Sequence, residues 1–169
     1  MINKSMPTGA KLAHPIITTT LWGSTRSVIA LYGFDDPADP NIGFNKILGH
    51  VYCPTGKGST SDSMFGPIDE DGGYPEVISV FFANADKDKV KELVVLCRYK
   101  QQHHDYNGDF FETFIYDNPG PGSTLTYLEK LSEKFFGCEC TYTDGKVEKA
   151  LYKNAESIKA KLKKMGYSQ

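Results

Sequence analysis

Val77-Ile78-Ser79-Val80-Phe81-Phe82-Ala83, Leu93-Val94-Val95-Leu96-Cys97-Arg98-Tyr99 and Phe110-Phe111-Glu112-Thr113-Phe114-Ile115-Tyr116 follow one another through the middle of the chain. β-Branched and aromatic residues crowd these runs, and each is short, so each reads as a strand. The junctions are short and polar, which makes the three an antiparallel meander. Upstream, Ile16 to Leu21, Ser27 to Phe34 and Phe44 to Tyr52 read as further strands, with a Pro- and Asp-rich loop from Asp35 to Asn41. Downstream the period changes. Ser123 or Thr124 can cap a helix carrying Tyr127, Leu128, Leu131 and Phe135, ended by Gly137. A final helix starts at Asp144 or Gly145, with Val147, Ala150, Leu151, Ala155, Ile158 and Leu162 as its apolar stripe and lysines opposite. The expected fold is α+β: a twisted antiparallel β-sheet (meander) with two C-terminal helices packed on one side.

The 169 residues fit a single domain, 1–169, in which the polar stretch 1–15, with two prolines, is a mobile N-terminal lead-in. The net charge of −2 supplies no basic field, so no nucleic-acid partner is expected. No apolar run approaches the roughly 18 residues of a membrane span. The first ten residues lack the apolar core of a signal peptide. The chain is therefore cytoplasmic, or it is a mature form whose leader was removed and whose place is periplasmic or otherwise extracytoplasmic.

Four cysteines, Cys53, Cys97, Cys138 and Cys140, allow three pairings. Cys97 lies in an apolar run and reads as a small buried hydrophobe. Cys138-Glu139-Cys140 is neither a redox C-x-x-C nor a zinc knuckle. Read as diverging neighbours, the two are not expected to bond each other, although a bridge elsewhere would use one of them.

The connection Asn84-Ala85-Asp86-Lys87-Asp88-Lys89-Val90-Lys91-Glu92 carries side-chain oxygens at positions 1, 3, 5 and 9. Calcium takes six to eight oxygen ligands, and a backbone carbonyl near position 7, at Val90, would add another. Residues 84–93 resemble the calcium loop of FG-GAP and related β-propeller repeats, which reads Asp-x-Asp/Asn-x-Asp-Gly-x-x-Asp-Leu between two strands. Asn84, Asp86, Asp88, Glu92 and Leu93 match by position and type, whereas Lys89 stands where the family has glycine. The resemblance implies a calcium site at Asn84, Asp86, Asp88, Val90 and Glu92. The pattern occurs once, so no propeller is implied.

Other motifs carry less. In Gln101 to Asp109 the adjacent His103 and His104 diverge on an extended chain, and Asn107-Gly108 is the expected hairpin turn. Thr55-Gly56-Lys57-Gly58-Ser59-Thr60 lacks the glycine spacing of a phosphate loop. The lysines of the final helix read as a solvated face.

No catalytic set is recognisable, so the chain reads as a binding protein and not an enzyme. Its small size, single sheet and acidic irregular loops resemble bacterial immunity proteins that neutralise a secreted toxin, including those of type VI secretion systems. That resemblance implies a cognate toxin or cell-wall hydrolase as partner, with a loop inserted into its active cleft. The irregular stretch 54–75 is the expected inhibitory loop, with Met64, Phe65 and Tyr74 as anchors and Asp69, Glu70 and Asp71 as steering charges. One alternative is a calcium-stabilised extracytoplasmic envelope or glycan-binding domain. Another is an enzyme in which His103 or His104 meets an acid from another element.

Overall fold

The computed structural model describes residues 6–22, 26–56, 58–118 and 124–169. Ser123, one of the two expected helix caps, and Lys57 lie outside them. The chain divides into two compact units, Met1–Glu76 with Pro119–Leu125, and Val77–Asn118 with Thr126–Gln169.

The first unit holds a five-stranded sheet of β1 (Ala10–Leu12), β2 (Ile17–Thr19), β3 (Ser27–Asp35), β4 (Phe44–Gly56) and β5 (Ser59–Asp69). Its order is β1-β3-β4-β5, and β2 also pairs with β3. The stretch read as a lead-in therefore contributes a strand, with Ala10 opposite Phe34 and buried. On β3, Ile29, Ala30, Leu31 and Tyr32 are buried in succession, as a strand covered on both faces requires.

The supposed loop 54–75 is mostly the end of β4 and all of β5. They pair antiparallel from Lys46–Asp69 to Gly56–Ser59, with bulges at Ile47/Gly49 and Pro54/Gly56. Most of β5 is exposed and polar, so its composition mimics a loop. Only Phe65 and Ile68 are buried along it. Gly49 stands opposite Phe65, and a Cβ there would overlap the aromatic ring. The glycine thus lets the ring lie on the β4 backbone.

The second sheet contains β6 (Pro75–Ala83), β7 (Glu92–Gln102), β8 (Tyr106–Asp117), β9 (Thr126–Tyr127), β10 (Gly137–Tyr142) and β11 (Val147–Glu148). Its order is β11-β10-β8-β7-β6, with β9 also on β8. One face is covered by Phe135, Ile158 and Leu162, packed against Val94, Leu96, Phe111 and Ile115. The register Leu93–Tyr116 to Gln102–Asn107 places the β7–β8 turn at residues 103–105, not at Asn107-Gly108. Gly108 serves another purpose: at φ +155° its missing Cβ makes room for the backbone of Glu139 and Cys140 on β10.

The expected α+β fold is corrected. Strands take 52% and helices 11% of the described residues, in two sheets with two short helical segments. The first segment is α1 (Glu129–Ser132) with a 3-10 turn, Glu133–Phe135. The second is α2 (Ala155–Lys164), capped by Asn154, whose side chain accepts the Ser157 N–H at 2.8 Å. The apolar stripe overreached. Val147 belongs to β11, and Leu151 is 72% exposed, so only Ala155, Ile158 and Leu162 of the stripe ride on the helix. Tyr127, expected in the first helix, pairs with Tyr116 as strand.

The cysteine expectation is corrected too. Cys138 and Cys140 are bonded to each other, with Cα atoms 5.3 Å apart. Side chains two apart on a strand share a face, which the reading as diverging neighbours missed. Cys53 and Cys97 are buried thiols, and burial pushes the Cys97 thiol far up.

Candidate cation site

The β6–β7 connection is built from its own acids. Ala83 and Ala85 are buried and hold the chain against the core of the second unit. Asp86 then accepts the Asp88 N–H at 2.7 Å, and Asp88 accepts the Val90 N–H at 2.6 Å. These are Asx turns, the local use to which short carboxylates are prone. Lys87 and Lys89, in this turn, are exposed.

Glu92 behaves differently. Its side chain is fully buried at the head of β7, and one oxygen, Oε2, accepts the Ala85 N–H. The other, Oε1, is buried with no hydrogen-bond partner among the described residues. A buried polar oxygen left unpaired costs about 1–3 kcal/mol, and more when charged. Desolvation accordingly raises the Glu92 pKa to about 7, and Asp86 and Asp117 push the same way.

Asp117 closes the group. Carboxylate oxygens of Asp86, Glu92 and Asp117 lie within 4.8 Å of one another. Like charges set this close oppose each other unless a cation or proton joins them. Asp117 also accepts the N–H and side-chain amide of Asn118, at 2.6 and 2.9 Å, which leaves it fixed at the end of β8. All three donors are hard oxygens, the set that suits calcium.

The expected ligands thus divide. Asp86 and Glu92 come together. Asp88 accepts the Val90 N–H and lies outside the group of three. The side-chain oxygen of Asn84 is buried with no partner among the described residues, and its amide nitrogen donates to the Ser168 carbonyl. Asp117 was missed because it lies 25 residues beyond Glu92 in the chain. The meander register was the available signal, since the partner of Leu93 is Tyr116. A groove of about 430 Å³ adjoins Asp86, lined also by Tyr127, Leu128, Leu131 and Tyr167.

The residues expected to grip a partner do not form one protruding loop. Met64 is 66% exposed on β5, whereas Phe65 is buried against Gly49 and cannot serve as an anchor. Asp69 ends β5 opposite Lys46, and the Glu70 N–H donates to the Asn45 carbonyl. Asp71 closes a turn onto Gly73. Tyr74 donates its hydroxyl to Asp36 at 2.9 Å. That bond raises the Tyr74 phenol, and the Ala38 N–H and Tyr74 together lower Asp36.

Three further histidines lie apart from these acids. His104 meets its neighbour Asp105 at 3.0 Å in the open, and His103 stacks on Tyr106. His103 lines a shallow depression with Asp109 and Glu139, but Glu139 is held by Lys153 at 2.6 Å. In the first unit, His50, which the sequence reading passed over, is buried between Tyr32 and Tyr52 and bonded to Asp62 at 2.9 Å.

Comparison with known protein families, curated proteins and solved structures finds no match for this chain.

Proposed function

We propose that the second unit binds a divalent cation of calcium's kind through Asp86, Glu92 and Asp117, and that the chain is a binding protein whose β framework this ion braces. The observation that carries the reading is the buried Oε1 of Glu92, without a partner among the described residues and set beside two further carboxylates. An ion there would satisfy that oxygen and offset the mutual repulsion of the three charges. Three carboxylates fall short of calcium's six to eight ligands, so carbonyl oxygens or water complete the shell. An extracytoplasmic setting accords with this reading, because weak extracellular calcium modules work at millimolar ion. The Cys138–Cys140 bond also accords with an oxidising compartment, where disulfides form and persist. Calorimetric titration with calcium tests the proposal. Saturable binding that Asp117→Asn weakens supports it, and no heat up to about 10 mM ion, well beyond the extracellular range, sinks it.

A second reading keeps the chain as an immunity-type inhibitor of a secreted toxin or cell-wall hydrolase. It is favoured by the exposed Met64, an apolar side chain beside Asp62 on a polar strand, with the exposed acids Asp69 to Asp71 at the strand's end. Phe65 has no part in it.

A further inference from the structure

The peptide group between Asn84 and Ala85 is bonded on both of its edges. Its N–H, on Ala85, donates to Glu92 Oε2. Its carbonyl, on Asn84, accepts the side-chain amide of Gln169 at 2.7 Å. The Asn84 side chain adds a second tie to the same segment by donating to the Ser168 carbonyl. A peptide group is planar and stiff, so a turn of its N–H moves its carbonyl by the same angle. One rigid plane therefore joins a carboxylate of the candidate cation site to the residues that follow α2.

Those residues have no deep packing of their own. α2 ends at Lys164, Met165 and Gly166 turn the chain at φ +99° for Gly166, and Ser168 and Gln169 are exposed. Tyr167 packs at the edge of the core and forms one wall of the groove that Asp86 also lines. Beyond Tyr167, the segment is held by hydrogen bonds at exposed positions, the ties of Ser168 and Gln169 to Asn84, which places its last residues at the low end of local stability.

We propose that cation binding at Asp86, Glu92 and Asp117 is coupled to docking of residues 166–169 through the Asn84–Ala85 peptide. An ion that fixes the Glu92 carboxylate fixes the Ala85 N–H that it accepts. That in turn presents the Asn84 carbonyl to Gln169. With no ion, the three carboxylates repel, Glu92 is free to shift, and the segment loses its anchor. Linkage makes the coupling reciprocal: whatever the ion adds to docking, docking adds to ion affinity.

The inference rests on the cation reading above, and the test separates the two. Terbium luminescence and calcium calorimetry report binding, while hydrogen exchange of the 165–169 amides, read by mass spectrometry, reports docking. The expected result is slower exchange there by about tenfold in saturating calcium, within the usual range for coupled sites. Gln169→Ala, far from the carboxylates in sequence, weakens calcium affinity by a similar factor without changing the fold. Ion binding with unchanged exchange at 165–169, or with unchanged affinity in Gln169→Ala, overturns the coupling and leaves the cation site standing. No ion binding at all removes both.

Discussion

Glu92, the first residue of β7, and Asp117, the last of β8, flank the Leu93–Tyr116 pair, and their carboxylate oxygens lie within 4.8 Å of each other. Like charges brought together at the ends of neighbouring strands destabilise a sheet. Here one of the two, Glu92, is also fully buried, with an oxygen that no described residue bonds. The ladder that gives the second unit its order thus ends in an electrostatic conflict, which a cation or a proton resolves.

Without an ion, that conflict gives stability a definite pH dependence. The Glu92 pKa rises from an ordinary 4.5 to about 7 on folding, through desolvation first. The folded state therefore holds the proton more tightly than the unfolded one. Its contribution is fully present below pH 4.5, falls as pH rises towards 7, and is lost above it. In chelator, the unfolding free energy from urea titrations is expected to drop across that window by an amount on the order of 3 kcal/mol. A flat profile between pH 4.5 and 7 would remove the argument.

Glu92→Gln keeps an acceptor for the Ala85 N–H and replaces the charge with an amide that can donate to Asp86 or Asp117. In chelator at pH 8 this variant is expected to be more stable than the native chain, by about 1–3 kcal/mol. Destabilisation on making this change would show that Glu92 is held by partners other than those described.

Phe65 and Met64 are adjacent in sequence and opposite in role. Phe65→Ala empties the space over Gly49 and is expected to cost about 3–5 kcal/mol in denaturant unfolding. Met64→Ala removes an exposed side chain and is expected to change stability by less than about 0.5 kcal/mol. If Met64 anchors a partner, its loss weakens capture of that partner while the melting curve stays in place.

The Cys138–Cys140 bond closes a loop of only three residues, so it removes little freedom from the unfolded chain. Replacing both with serine is expected to cost about 1–2 kcal/mol. β10 keeps its ladders to β8 and β11 in the variant. Loss of cooperative unfolding would show that the bridge does more than link one strand to itself.

Much of this architecture is legible in single runs of residues. The apolar runs at 77–83, 93–99 and 110–116 all lie in strands: β7 is buried on both faces from Leu93 to Cys97, and β6 and β8 are buried or half-buried at every position of their runs. β5 was illegible for the opposite reason. Its Ser, Asp, Gly and Pro residues face solvent along most of its length, and only pairing with β4 makes it a strand. The final helix was overextended because Val147 and Leu151 fall on its period by chance and are in fact exposed. Asp86 and Glu92 could be read from local spacing. Asp117 could not, since its place beside them is a fact of strand register. Asp88 fits the spacing but is spent on an Asx turn, a competing local bond that the pattern does not reveal.

The most direct test is thermal unfolding at pH 8, in calcium and in chelator, of the native chain and Glu92→Gln. Ion at a hundred times its dissociation constant is worth about 2.7 kcal/mol. For a chain of this size, that is a rise in Tm of about 5–10 °C. The account predicts this rise for the native chain and none for Glu92→Gln. Equal melting temperatures of the native chain in calcium and chelator would contradict it.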